Sequence, residues 1–165
     1  MNIEIVKVLE EDKDILWNLL QFALYDGSFY VDNQINNQGI FEYKWFERNF
    51  TDNNRSAYFI KQDNNVLGFV MTNENLKLKH DCNAQTIAEF LVLPKYRKKH
   101  IGKKVAYQIF DTFSGECEVQ PMENNTGAYE FWEKVIKEYS ENNYKLYKDD
   151  NNKDIFVFKS NKTEI

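Results

Sequence analysis

Between Ile101 and Phe113 the apolar residues fall four apart. Ile101, Val105, Ile109 and Phe113, with Ala106 and Phe110 beside them, make one face of a helix that Ser114-Gly115 ends. The same spacing in Ile15, Leu16, Leu19, Leu20 and Ala23, with Asp12 or Asp14 as cap, predicts an earlier helix. Ala128, Phe131, Trp132, Val135, Ile136 and Tyr139 predict a later one, and Tyr43 to Phe50 suits a short additional helix.

Elsewhere the pattern is that of strands. Asn2 to Val8 alternates like an edge strand, and Ser56 to Lys61 and Val66 to Thr72 flank Gln-Asp-Asn-Asn, a hairpin signal because Asp and Asn tolerate positive φ. Thr86 to Leu93 is apolar almost throughout, which predicts a strand buried on both faces, with Glu89 its one charge. Glu116 to Gln120 forms a short strand, and Lys145 to Tyr147 and Asp154 to Phe158 close the chain as a hairpin. The order is strand, helix, short helix, three strands, helix, strand, helix, two strands. No linker or repeat divides it, so residues 1–165 are expected to form one mixed α/β domain around one sheet.

Composition narrows the class. The hydrophobic fraction is 42% and no apolar run approaches the ~20 residues that span a bilayer, so no membrane association is expected. The first residues, Met-Asn-Ile-Glu-Ile-Val-Lys, lack a signal-peptide core, which points to the cytoplasm. Cys82 and Cys117, with only His80 and His100 besides, lack metal-ligand spacing; no metal is expected. A net charge of −5 argues against a nucleic-acid partner.

One segment reverses that charge. Arg97, Lys98, Lys99, Lys103 and Lys104 fall within eight residues, after the strand broken by Pro94 and at the start of the helix from Ile101. A loop that opens a helix presents free N–H groups, and the helix dipole favours negative charge there; the segment reads as a phosphate site. It is not a nucleotide-binding P-loop, because Gly102-Lys103-Lys104 lacks the following Ser or Thr and the upstream glycine.

Arg97-Lys98-Lys99-His100-Ile101-Gly102, preceded by Val-Leu-Pro-Lys-Tyr, is similar to the phosphate-loop motif of the GNAT superfamily of acyl-CoA-dependent N-acetyltransferases, which reads Arg or Gln, two residues, Gly, one residue, Gly or Ala. Asn125-Thr126-Gly127-Ala128-Tyr129-Glu130-Phe131-Trp132 resembles its second motif, Asn-x-x-Ala-x-x-Phe-Tyr. The two motifs occur in the family's order and on the expected elements. The resemblance implies a GNAT fold, a mostly antiparallel twisted sheet splayed at its middle strands and flanked by helices. It also implies acetyl-CoA as cosubstrate and a small-molecule or protein amine as acceptor. The implied cofactor contacts are Arg97 and the backbone amides of Lys98, Lys99, His100, Ile101, Gly102 and Lys103 at the pyrophosphate. Leu91 and Leu93 would offer their backbone to the pantetheine arm, the Val92 N–H or a neighbour would polarise the thioester carbonyl, Asn125 would contact the arm from the other side, and Trp132 would stand at the cleft wall. Two residues depart from the motifs: His100 stands at the usual glycine, and Trp132 at the tyrosine that protonates the leaving thiolate.

Glu89 is the candidate base. The family often has a glutamate at this point of its central strand, and a carboxylate inside an apolar strand is costly unless it faces a wet cleft or a partner. Because indole N–H has no useful acidity, the thiolate leaves unassisted or Tyr129 serves as acid. The aromatic and acidic stretch from Tyr25 to Glu47 would supply the acceptor pocket, with Asp26, Tyr30 and Asp32 its first candidates. Direct amine acetylation in a ternary complex is the expected activity. The competing reading is a noncatalytic acyl-CoA-binding module on the same fold.

Overall fold

The turn residues that close the hairpins take the backbone angles expected of them. Asp63 (φ 53°) joins strand β2 (Arg55–Gln62) to β3 (Asn65–Asn73). Asn152 (φ 62°) joins β6 (Tyr144–Lys148) to β7 (Asp154–Lys159), in a turn where the Asp149 carboxylate accepts the N–H groups of Asn151 and Lys153, each at 2.9 Å. With β1 (Glu4–Lys7), β4 (Ala84–Val92) and β5 (Glu116–Val119) these make one seven-stranded sheet in the order β1-β2-β3-β4-β5-β7-β6. Neighbouring strands run antiparallel except β4 and β5, which are parallel. The computed structural model describes residues 2–162, so the extreme ends of the expected domain lie outside it.

Helices α1 (Lys13–Gly27) and α2 (Arg48–Thr51) lie on one face of the sheet, α3 (Ile101–Phe110) and α4 (Thr126–Tyr139) on the other. The first face buries Leu16, Leu20, Phe46, Phe59, Phe69 and Met71; the second buries Val105, Ile109, Phe110, Phe113, Ile136 and Phe156. Of the apolar stripes read from helical spacing, Leu16, Leu19 and Leu20 on α1, Val105, Ala106, Ile109 and Phe110 on α3, and Trp132, Val135, Ile136 and Tyr139 on α4 are buried, whereas Ile15 is 48% exposed. The short helix expected over Tyr43 to Phe50 is instead a run of turns, with N–H to C=O bonds three residues apart from Phe46 to Tyr43 and from Arg48 to Trp45, before the single turn of α2. After α3, Gly115 (φ 93°) carries the chain into β5 beside Asn83, whose carbonyl oxygen would lie 2.1 Å from any Cβ there. Only glycine fits that crossing.

The loop between β3 and β4 is tied to β5 by an ionic staple. His80 places Nδ1 2.7 Å from Glu116 Oε2 and Nε2 3.0 Å from Glu118 Oε2. Glu118 is 1% exposed and also accepts the backbone N–H groups of Lys77 (2.7 Å) and Leu78 (3.1 Å). Burial opposes charge on the imidazole, but the hydrogen bonds and charges of the two carboxylates outweigh it and raise the His80 pKa. A raised histidine pKa stabilises the fold fully below the ordinary value of about 6.5, and the contribution is lost as pH climbs through the folded value. The wild type is therefore expected to exceed His80→Gln by about 2 kcal/mol near pH 6, with the margin shrinking by pH 9. Thermal melts of both proteins at the two pH values check this.

Candidate active site

The parallel pairing of β4 with β5 lasts three residues, Ala84 to Thr86 against Glu116 to Glu118, and then the strands part. On the far side β4 stays paired to β3, where Met71 faces Glu89 and Thr72 faces Ile87, so Ala88 is an extra residue in a β-bulge. Gly68 lets β4 settle closely on β3: a Cβ there would stand 1.9 Å from the Leu91 carbonyl oxygen. Residues 87 to 90 are consequently half-buried. The continuous apolar run predicted burial on both faces; β5 diverges instead and leaves a gap beside them.

Backbone alternation decides which groups face that gap. The Leu93 N–H donates to Leu67 O at 2.8 Å, and the Leu91 carbonyl turns toward Gly68, so both point to β3. Val92 and Phe90, and not the expected Leu91 and Leu93, therefore point their backbone groups into the gap. The Val92 carbonyl accepts Arg97 Nε at 2.7 Å, which ties the basic loop to the end of the strand.

The loop delivers free donors to the same place. Lys98 (φ 58°) and His100 (φ 59°) are both left-handed, the conformation that favours glycine and that His tolerates better than most. The first helical bond runs from the Lys104 N–H to the His100 carbonyl, and among the described residues the N–H groups of 98 to 103 have no protein acceptor. Gly102 keeps the helix start close to Phe131, whose ring carbons would lie 3.2 Å from a Cβ. Lys98, Lys99, Lys104 and His100 are exposed, whereas Lys103 pairs with Glu138 on α4. Arg97 Nη2 lies 2.6 Å from Asp26 Oδ2. The end of α1 thus meets the basic loop, and it also meets the loop after β5, where Asn124 Nδ2 is 3.4 Å from Tyr30 O.

Glu89 is half-buried on the α1 and α2 face, beside Tyr43. Burial pushes its carboxyl up to about 7, against the opposing pull of a hydrogen bond from Tyr43. Tyr43 itself is held above the ordinary phenol range by burial and then by the Glu89 charge, with Arg55 pulling the other way. Nothing in the local sequence announces Tyr43; it lies forty-odd residues from Glu89 and meets it only through the fold.

Other candidates occupy plainer positions. Asn125 caps α4 through Oδ1, which accepts the Ala128 N–H at 2.9 Å. Trp132 is 7% exposed and packs among Phe90, Phe110 and Phe131. Tyr129 donates its hydroxyl to Asp154 Oδ2 at 2.9 Å, and burial with that carboxylate pushes its pKa to about 12, which weakens it as an acid. Cys117 is fully buried with its thiol pKa pushed up, consistent with packing rather than nucleophilic chemistry. Asp26 is spent on Arg97, and Asp32 accepts from Gln34, so the acidic stretch does not converge on Glu89 through these two. Among the described residues there is no metal-ligating cluster and no helix long and apolar enough to cross a membrane.

A mixed sheet that splays beside a helix start rich in free amides is the architecture of acyl-CoA-dependent acetyltransferases. The chain matches the acetyltransferase (GNAT) family over residues 16–136 and belongs to that family. Its fold is similar to that of an acetyltransferase from Thermus thermophilus (TM-score 0.68, 10% identity, 95% of this chain and 96% of that one). It is similar also to the PaiA N-acetyltransferase of Thermoplasma acidophilum in complex with coenzyme A (0.60, 17%, 96% and 99%). The aminoglycoside acetyltransferase AAC(6')-Ib in complex with coenzyme A is a third such neighbour (0.67, 11%, 97% and 95%). No curated protein matches it in sequence.

Proposed function

We propose that this chain moves an acetyl group from acetyl-CoA to a primary amine by direct attack in a ternary complex. One observation carries the reading: the gap beside β4 joins the unpaired amides of residues 98–103 on one face of the sheet to Glu89 on the other. The amides and the helix dipole suit a pyrophosphate. The Val92 N–H faces the gap as a donor for the carbonyl oxygen, and Asn125 keeps its side-chain nitrogen for the pantetheine arm. The amine nitrogen attacks the thioester carbon, the C–S bond breaks, and the nitrogen's proton passes to Glu89, directly or through water. With Trp132 in the core and Tyr129 held by Asp154, the thiolate leaves unassisted, its pKa near ~8.5 by analogy with cysteine. The acceptor is a small-molecule or protein amine, and the two free cysteines agree with a cytoplasmic setting.

Release of free thiol from acetyl-CoA across a panel of primary amines tests the reading. A rate above background for one amine class, lost in Glu89→Gln, supports it. The second reading, a noncatalytic acyl-CoA-binding module, draws on the missing acid at Trp132 and predicts CoA binding with background thiol release for every amine.

A further inference from the structure

We propose that Arg97 is a positioning residue for the gap: clasped to Asp26, it fixes the end of β4 against the end of α1 rather than holding phosphate. Two hydrogen bonds occupy the edge of its guanidinium formed by Nε and Nη2, the first to the Val92 carbonyl at 2.7 Å and the second to Asp26 Oδ2 at 2.6 Å. Asp26 belongs to α1, on the sheet face opposite α3, so the side chain reaches away from the free amides at the start of α3. The same end of α1 also touches the chain that follows β5. Gly27 packs on Met122, whose Cε would stand 3.0 Å from a Cβ there, and Asn124 Nδ2 lies 3.4 Å from Tyr30 O. Residues 26–30 therefore join the two loops that leave β4 and β5, beyond the point where the strands part. A bridge between those loops fixes how far apart the strand ends stand, and with that the place of the Val92 backbone beside the gap. Guanidinium suits the task because its rigid fork meets two acceptors at once.

This role rests on the gap being the acyl-CoA site proposed above, and its consequences are opposite in sign to those of a phosphate contact. Asp26→Ala removes a negative charge from beside an anion site, which by itself would tighten acetyl-CoA binding. Loss of the clasp instead weakens binding about tenfold. Arg97→Lys keeps the positive charge, but one ammonium cannot span Val92 and Asp26 together, so it is expected to weaken binding as much. The double variant should be no weaker than either single one, because both changes remove the same link. Calorimetric titration with acetyl-CoA reads all four proteins. In 15N NMR the Arg97 Nε–H resonance, assigned by its loss in Arg97→Lys, should shift in Asp26→Ala. Both side chains are nearly half exposed, so the variants keep the fold; circular dichroism checks this, and Asp26→Asn serves if Asp26→Ala does not fold. Equal or tighter binding in Asp26→Ala, wild-type affinity in Arg97→Lys, or an unshifted Nε–H overturns the proposal and leaves acetyl transfer standing. The expected pattern in a protein that acetylates no amine supports the clasp and removes only the catalytic reading. A folded wild type that binds no acetyl-CoA overturns both.

Discussion

Glu89→Gln is expected to lower kcat/KM for the acceptor amine by a factor of about 10² to 10⁴, the usual worth of a positioned base, while leaving acetyl-CoA affinity unchanged. Glutamine keeps the size of the side chain and an oxygen that can accept a hydrogen bond but cannot act as the base. The pH profile distinguishes this from structural damage. In the wild type, activity rises as Glu89 ionises around pH 7; in the variant that limb is absent, and only the rise caused by the amine's own deprotonation remains. Stability should move in the opposite direction. A carboxyl whose folded pKa is raised by burial costs nothing below its ordinary value, and the cost grows as pH passes from there to about 7. Above that point the neutral glutamine relieves a penalty of about 3 kcal/mol. Thermal melts at pH 5 and pH 8 should show Glu89→Gln gaining on the wild type only at the higher pH. A carboxylate retained for structure alone would give the reverse, a variant less stable at pH 8.

Gly102→Glu is expected to weaken acetyl-CoA binding at least about 100-fold, close to 3 kcal/mol. Two effects combine. A side chain at Gly102 presses on Phe131, since even its Cβ stands 3.2 Å from two ring carbons, and its carboxylate faces the amides of residues 98–103 that would otherwise receive the phosphates. Acidic residues are favourable in the first turn of a helix, so α3 itself should tolerate the change and the variant should remain folded. Gly102→Ala separates the two effects, because it adds the Cβ without the charge and should lose the smaller part of the affinity. Titration calorimetry with acetyl-CoA, supported by circular dichroism, reads both variants.

Much of this architecture is legible along the chain because it depends on local rules. The stripe from Ile101 to Phe113, the Asp63 and Asn152 turns and the glycine after α3 each follow from spacing or backbone freedom within a few residues. The basic loop at the start of α3 is legible for the same reason, as a local reversal of charge where a strand gives way to a helix. The gap was not. An unbroken apolar run from Thr86 to Leu93 reads as a strand covered on both faces, and nothing within it reports that β5 abandons it after Thr86. The partners of the site residues were hidden by sequence distance: Asp26 lies 71 residues from Arg97, and Tyr43 approaches Glu89 from a segment whose pattern suggested a helix. His80 is a similar case, since only the crossing of the loop over β5 brings it between Glu116 and Glu118. Trp132 shows the converse, a motif position whose apolar side chain the fold places in the core.

Calorimetric titration of the wild-type protein with acetyl-CoA, with CoA and ATP as controls, tests most directly whether the gap beside β4 and the start of α3 form an acyl-CoA site. An acyl-CoA site there gives micromolar binding of both CoA species, ATP weaker than either, and loss of the signal in Gly102→Glu. A folded wild type that binds neither CoA species, or a folded Gly102→Glu that binds them as tightly as the wild type, would contradict it.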